Sequence, residues 1–319
     1  MKTIAKIAAV SIGALMISGA VLAANTPARI PDADSPSAKI ASDKRAIITP
    51  QSIDFGAYDP HGDFAEDRNP KIEHLFLPWE DVDLSTLALA DEYARERGRS
   101  LMITVEPWSW SIDWRLSPDQ LYNGIMAGDF DANMAAVCSE AAKLKSPVTI
   151  RWGQEMDEDK EGWFKFTWAY WTPAQFVKAY RHAITVCRQH ITDAKFVWSP
   201  KGKEGLKDYY PGDEYVDIVG LSVFGYQPYD NDVFVKDQTF AEALKPGYDR
   251  VVGFGKPIMV AELGYEGEPA YVRSWAEDVT KPHAQFPELI AVVYFNDREV
   301  YPWPNYGLPD WRGCQQGVN

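Results

Sequence analysis

The chain turns on the stretch Pro147-Val148-Thr149-Ile150-Arg151-Trp152-Gly153-Gln154-Glu155-Met156-Asp157. It begins as a short β-branched apolar run, the pattern of a buried strand, and ends in charge. Reading Val148–Glu155 as one strand puts Arg151, Gly153 and Glu155 on the same face, because residues two apart share a side of the pleat. A carboxylate at the end of a buried strand is costly unless it is used. A second run, Pro257-Ile258-Met259-Val260-Ala261-Glu262-Leu263-Gly264, ends the same way. Two strands that each deliver a glutamate at the C-terminal end predict a paired-carboxylate site.

Around these two runs the chain alternates strand and helix signals. The strand patterns are Ile53–Tyr58, Ile72–Leu77, Leu101–Glu106, Val148–Glu155, Lys195–Ser199, Val216–Tyr226, Ile258–Leu263 and Ala291–Asn296. The clearest helical patterns are Leu84–Arg97, Asp131–Lys145, Pro173–His190, Phe240–Phe254 and Ala270–Phe286, with short helices expected near 60–70 and 205–215. Thr172 before Pro173 is a natural N-cap followed by a proline suited to the first turn. Pro302, Pro304 and Pro309 exclude a full last helix. Repeated βα units reaching eight strands in roughly 250 residues predict an α/β fold, a single-domain (β/α)8 TIM barrel, rather than an open sheet. Chemistry in that fold sits at the C-terminal strand ends, and the two glutamates fall at the ends of strands four and seven.

The expected division is a signal peptide over 1–23, a linker or N-terminal arm over 24–50 and a catalytic barrel over 51–319. Lys2 and Lys6 precede the apolar run Ile7–Val21, and Val21-Leu22-Ala23 precedes a plausible cut. Export to the periplasm or the extracellular space follows, with no membrane insertion once the signal is removed. The mature chain has no other stretch that approaches the roughly 18 apolar residues of a membrane span. A net charge of -14 makes nucleic acid and anionic lipid poor partners. Cys138, Cys187 and Cys314 are an odd count. Cys138 and Cys187 lie on the apolar faces of successive helices, and both a disulfide and buried free thiols fit that placement. Neither the cysteines nor the five histidines have metal-ligand spacing, so the expectation is no metal and no organic cofactor.

Aromatics are plentiful, with 12 Trp and 16 Tyr, and many stand beside Pro, Gly and Asp in expected loops. That placement favours a cleft that stacks sugar rings over a large core. Trp108, Trp110, Trp163, Tyr294 and Trp303 are the expected sugar-binding aromatics. Trp168 and Trp171 are weaker candidates for the same role, since they precede a helix and packing it is their alternative.

Four segments together resemble glycoside hydrolase family 26, the β-mannanase-like family within the clan of retaining barrel glycosidases. They are Arg151 to Asp157, Tyr210-Pro211-Gly212-Asp213-Glu214-Tyr215-Val216-Asp217 with its strand to Tyr226, Lys256 to Gly264, and Asp310-Trp311-Arg312. The resemblance implies Glu155 as general acid/base and Glu262 as nucleophile, which suits hydrolysis at a pair of facing carboxylates. It implies that Tyr226 donates a hydrogen bond to Glu262. Arg151 is expected to hold a carboxylate; the plainer reading of either glutamate is a buried ion pair with Arg151 or Arg298. Gln154 occupies the slot that clan members use for the substrate's 2-hydroxyl, where family 26 mannanases usually carry His. Glu106-Pro107-Trp108 replaces a His-containing aromatic motif, and Glu106 is expected to bind a sugar hydroxyl or to pair with Arg. Both departures leave room for a β-glucan or a bacterial exopolysaccharide beside β-mannan. The expected function is a secreted retaining endo-β-glycanase whose partner is its polysaccharide and which nothing requires to oligomerise. The alternatives are a non-catalytic glycan-binding barrel and a transglycosylase.

Overall fold

The computed structural model describes residues 52–110, 114–158 and 165–313. The expected signal peptide and arm, Trp163 and Cys314 lie outside the described residues. Eight parallel strands close into a barrel in chain order: β1 (Asp54–Tyr58), β2 (Ile72–Pro78), β3 (Ser100–Glu106), β4 (Val148–Trp152), β5 (Lys195–Trp198), β6 (Ile218–Tyr226), β7 (Ile258–Glu266) and β8 (Leu289–Phe295). The helices are α1 (Leu87–Glu96), α2 (Pro118–Ala127), α3 (Asp131–Ala141), α4 (Pro173–Arg188), α5 (Gln227–Val233), α6 (Phe240–Val251) and α7 (Pro269–Asp278). None is long and apolar enough to cross a membrane.

Both faces of a parallel strand are buried, so these strands read as near-continuous apolar runs. Inside the barrel, Met102, Val197, Ile218, Met259, Ala261, Ala291 and Val293 pack with Ile72. The alternate residues, such as Leu101, Ile103 and Val105 of β3 and Ile150 and Trp152 of β4, pack outward in the larger cluster with the helices. The interior is tight: a Cβ added at Gly220 would stand 2.7 Å from Ser199 Oγ and 3.0 Å from the Ala261 Cβ.

Several helices differ from the sequence expectation for identifiable reasons. The pattern from Ala270 to Phe286 stops at Asp278, four residues before Pro282, which cannot continue a helix. The pattern from Leu84 opens as a 3-10 turn over Leu84–Thr86 before α1 begins. The region 205–215 forms two 3-10 turns, Leu206–Tyr209 and Asp213–Tyr215, and 60–70 carries turns only. Helix α2 was not expected, although its signal is plain. Ser117 and Gln120 form a reciprocal capping box, with Gln120 N–H donating to Ser117 Oγ (3.3 Å) and Ser117 N–H to Gln120 Oε1 (3.0 Å). Helix α4 starts as expected, with Thr172 and Gln175 bonded in the same way.

Cys138 and Cys187 form a disulfide that joins α3 to α4, resolving the choice the sequence left open. Beneath the barrel mouth, Asn296 closes β8 onto β1: its amide donates to Asp59 Oδ1 (2.8 Å) and Asp63 Oδ2 (2.9 Å), and its carbonyl accepts from Gly313 N–H (2.7 Å).

Candidate active site

Strand β4 ends at Trp152. Gly153 (φ 57°) and Glu155 (φ 58°) are both left-handed, so the expected strand to Glu155 and its shared pleat face with Arg151 do not form. Glycine adopts that conformation without penalty; for Glu155 it costs on the order of 1 kcal/mol. The turn is held from β5, since Glu155 N–H donates to the Ser199 carbonyl (2.8 Å). Arg151 stays on the inner face of β4, fully buried.

Glu262 reaches the interior through an irregularity. Leu221 of β6 pairs with Val260, but Ser222 pairs with Glu262, so Ala261 is an extra residue in β7. The β8 side matches: Val260 pairs with Val292 and Leu263 with Tyr294. In a regular strand with Met259 and Ala261 inward, Glu262 would face the helices. The bulge turns it back into the barrel, a common use of bulges beside functional sites.

Arg151 Nη1 stands 2.6 Å from Glu262 Oε1 in a buried ion pair. Both earlier readings of Arg151, as holder of a carboxylate and as salt-bridge partner, describe this contact. Burial pushes the Glu262 carboxyl up to about 7; Arg151 pulls it down, and the charges of Glu155 and Glu106 push it up. The Arg151 guanidinium also donates to Thr104 Oγ1 (3.3 Å), which bonds His74 (2.7 Å). His74 is neutral, because burial first and Arg151 second hold its pKa well below the usual histidine value.

Four groups complete the site without having been singled out in the sequence. Lys201, in the loop after β5, places Nζ 3.8 Å from Glu155 Oε2 and 2.5 Å from Glu158 Oε2. The surrounding acids raise its pKa against the opposing effect of burial, so it remains a cation. Asp157 positions that loop, accepting the N–H groups of Lys201 (2.6 Å), Gly202 (3.0 Å) and Lys203 (2.8 Å). Glu299, from the loop after β8, accepts the Trp311 indole N–H (3.1 Å). Burial pushes its carboxyl up, and the charges of Glu155 and Lys201 act on it in opposite senses. The only sequence signal for Lys201 is its place two residues beyond Ser199 at a strand end.

Glu106, on the inner face of β3, accepts from Gln154 Nε2 at 2.7 Å, and burial raises its pKa. Gln154 is itself buried, and its backbone carbonyl accepts the Trp168 indole N–H (2.6 Å). Beside them Trp108 packs on Trp168 (5.0 Å between ring centroids) and under the Arg115 guanidinium (3.9 Å). Half-buried Trp110 stands edge to face with Trp114. Trp168 and Trp171 are buried, as their position before a helix suggested.

Two expected roles are corrected. Tyr226 does not bond Glu262. Its strand partner is Glu266, one layer higher, and its hydroxyl donates to the Tyr306 carbonyl (2.7 Å). Tyr294 does not line the mouth. It points outward, fully buried, with its hydroxyl on the Trp311 carbonyl (2.5 Å); Phe295 is the inward residue and stacks on Tyr58 at 5.2 Å. Trp303 is half-buried against Tyr226 (5.6 Å) and Tyr229 (5.2 Å). The other quoted segments are scaffolding. Tyr210 donates to Asp213 (2.7 Å) while Pro211 accepts from Arg181 of α4 (2.6 Å), and Asp310 binds Arg298 and Arg312. Among the described residues no cluster of three or more His, Cys, Asp or Glu is placed to hold a metal ion.

Residues 117–266, from the cap of α2 to the end of β7, match the description Glycosyl hydrolase family 26. Over this stretch the chain is similar to family 26. The stretch contains Arg151, Glu155, Lys201 and Glu262, while β1, β2, β3 and β8 lie outside it. Over 211 residues the chain is 23% identical to a mannan endo-1,4-beta-mannosidase of Bifidobacterium adolescentis, a match covering 60% of this chain and 20% of that protein. The chain thus spans about a fifth of the length of that curated relative. Among solved structures it is similar to a Bacillus subtilis mannanase, with TM-score 0.52 and 18% identity over 81% of this chain and 83% of the other. It is also similar to a family 26 β-mannanase from Bacteroides ovatus, with TM-score 0.54 and 16% identity over 80% and 83%. At such identities the structural likeness supports the barrel fold.

Proposed function

We propose that the chain is an exported retaining endo-β-glycanase that hydrolyses a β-linked polysaccharide by double displacement. One observation carries the reading. Within the matched stretch, Glu155 from the turn after β4 and Glu262 from β7 lie close enough for the charge of one to act on the other, and each has one oxygen beside a cation: Arg151 on Glu262 Oε1, Lys201 on Glu155 Oε2. In this scheme Glu262 attacks the anomeric carbon. The electron pair of the breaking glycosidic bond goes to the leaving oxygen, which takes a proton from Glu155. Water then gives a proton to Glu155 as its oxygen displaces Glu262, and both carboxyls return to their starting state. Arg151 favours the ionised nucleophile.

Trp110 and Trp303 are proposed as sugar-stacking surfaces, with Gln154 and Glu106 as hydroxyl-binding groups of the glycone site; Trp108, buried between Trp168 and Arg115, packs the wall. A glutamine bonded to a glutamate, where mannanases carry His, supports a β-glucan or bacterial exopolysaccharide as substrate beside β-mannan. The Cys138–Cys187 disulfide supports residence outside the cytoplasm, with residues 1–23 as the leader and 24–50 as an arm before the barrel. The protein is proposed to act as a monomer.

The test is a digest of mannan, mixed-linkage β-glucan, xylan, carboxymethyl-cellulose and the producer's own exopolysaccharide, with Glu262→Ala as the blank. Wild type is expected to release reducing ends from one polymer. Glu262→Ala should release none, and Glu155→Ala should be slower by roughly 10²–10⁴-fold, the usual contribution of a general acid. Cleavage that persists in Glu262→Ala, or an undiminished rate in Glu155→Ala, overturns the roles. Saturable binding without cleavage by wild type supports the glycan-binding alternative, and transfer to an added sugar in place of water supports the transglycosylase.

A further inference from the structure

Lys201 is held with unusual thoroughness for a loop lysine. Asp157 fixes the backbone N–H groups of residues 201 to 203. Arg250 Nη1 donates to the Gly202 carbonyl (2.8 Å). Gly202 has φ 95°, and a Cβ there would meet Gly247 Cα at 2.9 Å, so the chain passes where only glycine fits. The Glu155 turn is tied to the same segment through Ser199. The acid/base glutamate and the lysine are therefore anchored to each other through backbone on both sides, and their side chains meet at 3.8 Å. Glu158 engages the same ammonium from the β4 side, and Glu299 acts on it from the loop after β8.

We propose that Lys201 is the positioning residue of the acid/base carboxyl. It draws Oε2 of Glu155 to itself, which directs Oε1 to the glycosidic oxygen, and it stabilises the negative charge that appears on Glu155 as its proton leaves. The proposal rests on the glycosidase reading above. The step is a proton transfer only: Glu155 loses the proton, the leaving oxygen gains it, and Lys201 keeps its own throughout. Glu158 prevents the lysine from swinging away when Glu155 is protonated and uncharged.

A group acting through the proton transfer matters most when the leaving group needs a proton. The experiment compares wild type, Lys201→Met and Lys201→Arg on the susceptible polymer and on 2,4-dinitrophenyl β-glycosides, whose leaving phenolate departs without protonation. For Lys201→Met the expected fall in kcat/KM, which reads the first step, is ~10–100-fold on the polymer, at least tenfold larger than its fall on the dinitrophenyl glycosides, with Lys201→Arg recovering most of the difference. Equal losses on both substrates would show a merely structural lysine, and an undiminished polymer rate would show an idle one; either overturns the proposal. Dinitrophenolate release by Lys201→Met also reports that the variant is folded. A wild type that cleaves none of the substrates overturns the glycosidase reading and this proposal with it, whereas an active wild type isolates the question to Lys201.

Discussion

At the scale of single residues, the arrangement around Glu262 sets a pH dependence. Its carboxyl is pushed up to about 7 by burial, against the pull of Arg151. Only the ionised form attacks, so kcat/KM is expected to fall as pH drops below about 7, well above the ordinary value of 4.5. A pH–rate profile reads this limb directly. Arg151→Met removes the downward pull. The acid limb should move to higher pH, and each unit of movement lowers the ionised fraction about tenfold below the limb. A limb that stays in place in Arg151→Met would mean that the ion pair does not govern the nucleophile. The identities of the two glutamates were legible in the sequence, because a carboxylate closing an apolar run is conspicuous. The left-handed turn that carries Glu155 and the extra Ala261 that redirects Glu262 were not. Both depend on pairing with neighbouring strands, which no local pattern records.

At the scale of elements, strand parity explains the main misreading. Leu289–Phe295 is apolar throughout, so nothing in it says which residues face the lumen. Ala291 and Val293 fix the parity only once the barrel interior is known, and Tyr294 then falls on the outside. The α2 cap was readable and the short α5 was not, since it opens on Gln227-Pro228 without a side-chain cap. The outer layer also holds a buried ion pair between β2 and the start of β3. Arg99 Nη1 meets Glu73 Oε2 at 2.7 Å, and Nη2 donates to the carbonyls of Phe64 (2.6 Å) and Asp67 (2.8 Å). Arg99→Ala leaves the buried Glu73 carboxyl without its cation, and is expected to cost about 3–5 kcal/mol. Urea denaturation of the variant measures this, and a loss below about 1 kcal/mol would contradict it.

At the scale of the whole molecule, the barrel was legible from the repetition of strand and helix signals, while the joining of its sectors was not. Loops after β5 and β8 bring Lys201, Glu299 and Trp311 beside residues distant in sequence, and the two helix-borne cysteines meet only because α3 and α4 pack together. The sequence separation across the disulfide is 49, and closing a loop of that length in the unfolded chain contributes about 4 kcal/mol in the chain-entropy view. Cys138→Ser with Cys187→Ser should therefore lower the melting temperature by several degrees. A double variant that melts with wild type would show that the bridge adds nothing to the fold.

The same bridge makes the segment between Cys138 and Cys187 a closed covalent ring, threaded with β4, Glu155 and the aromatic wall of Trp168 and Trp171. A protease that cuts once inside that ring does not separate the molecule into two. Electrophoresis of such nicked protein would show a single full-length band without reductant and two fragments with it, and the acid/base glutamate would remain tethered to both halves of its barrel.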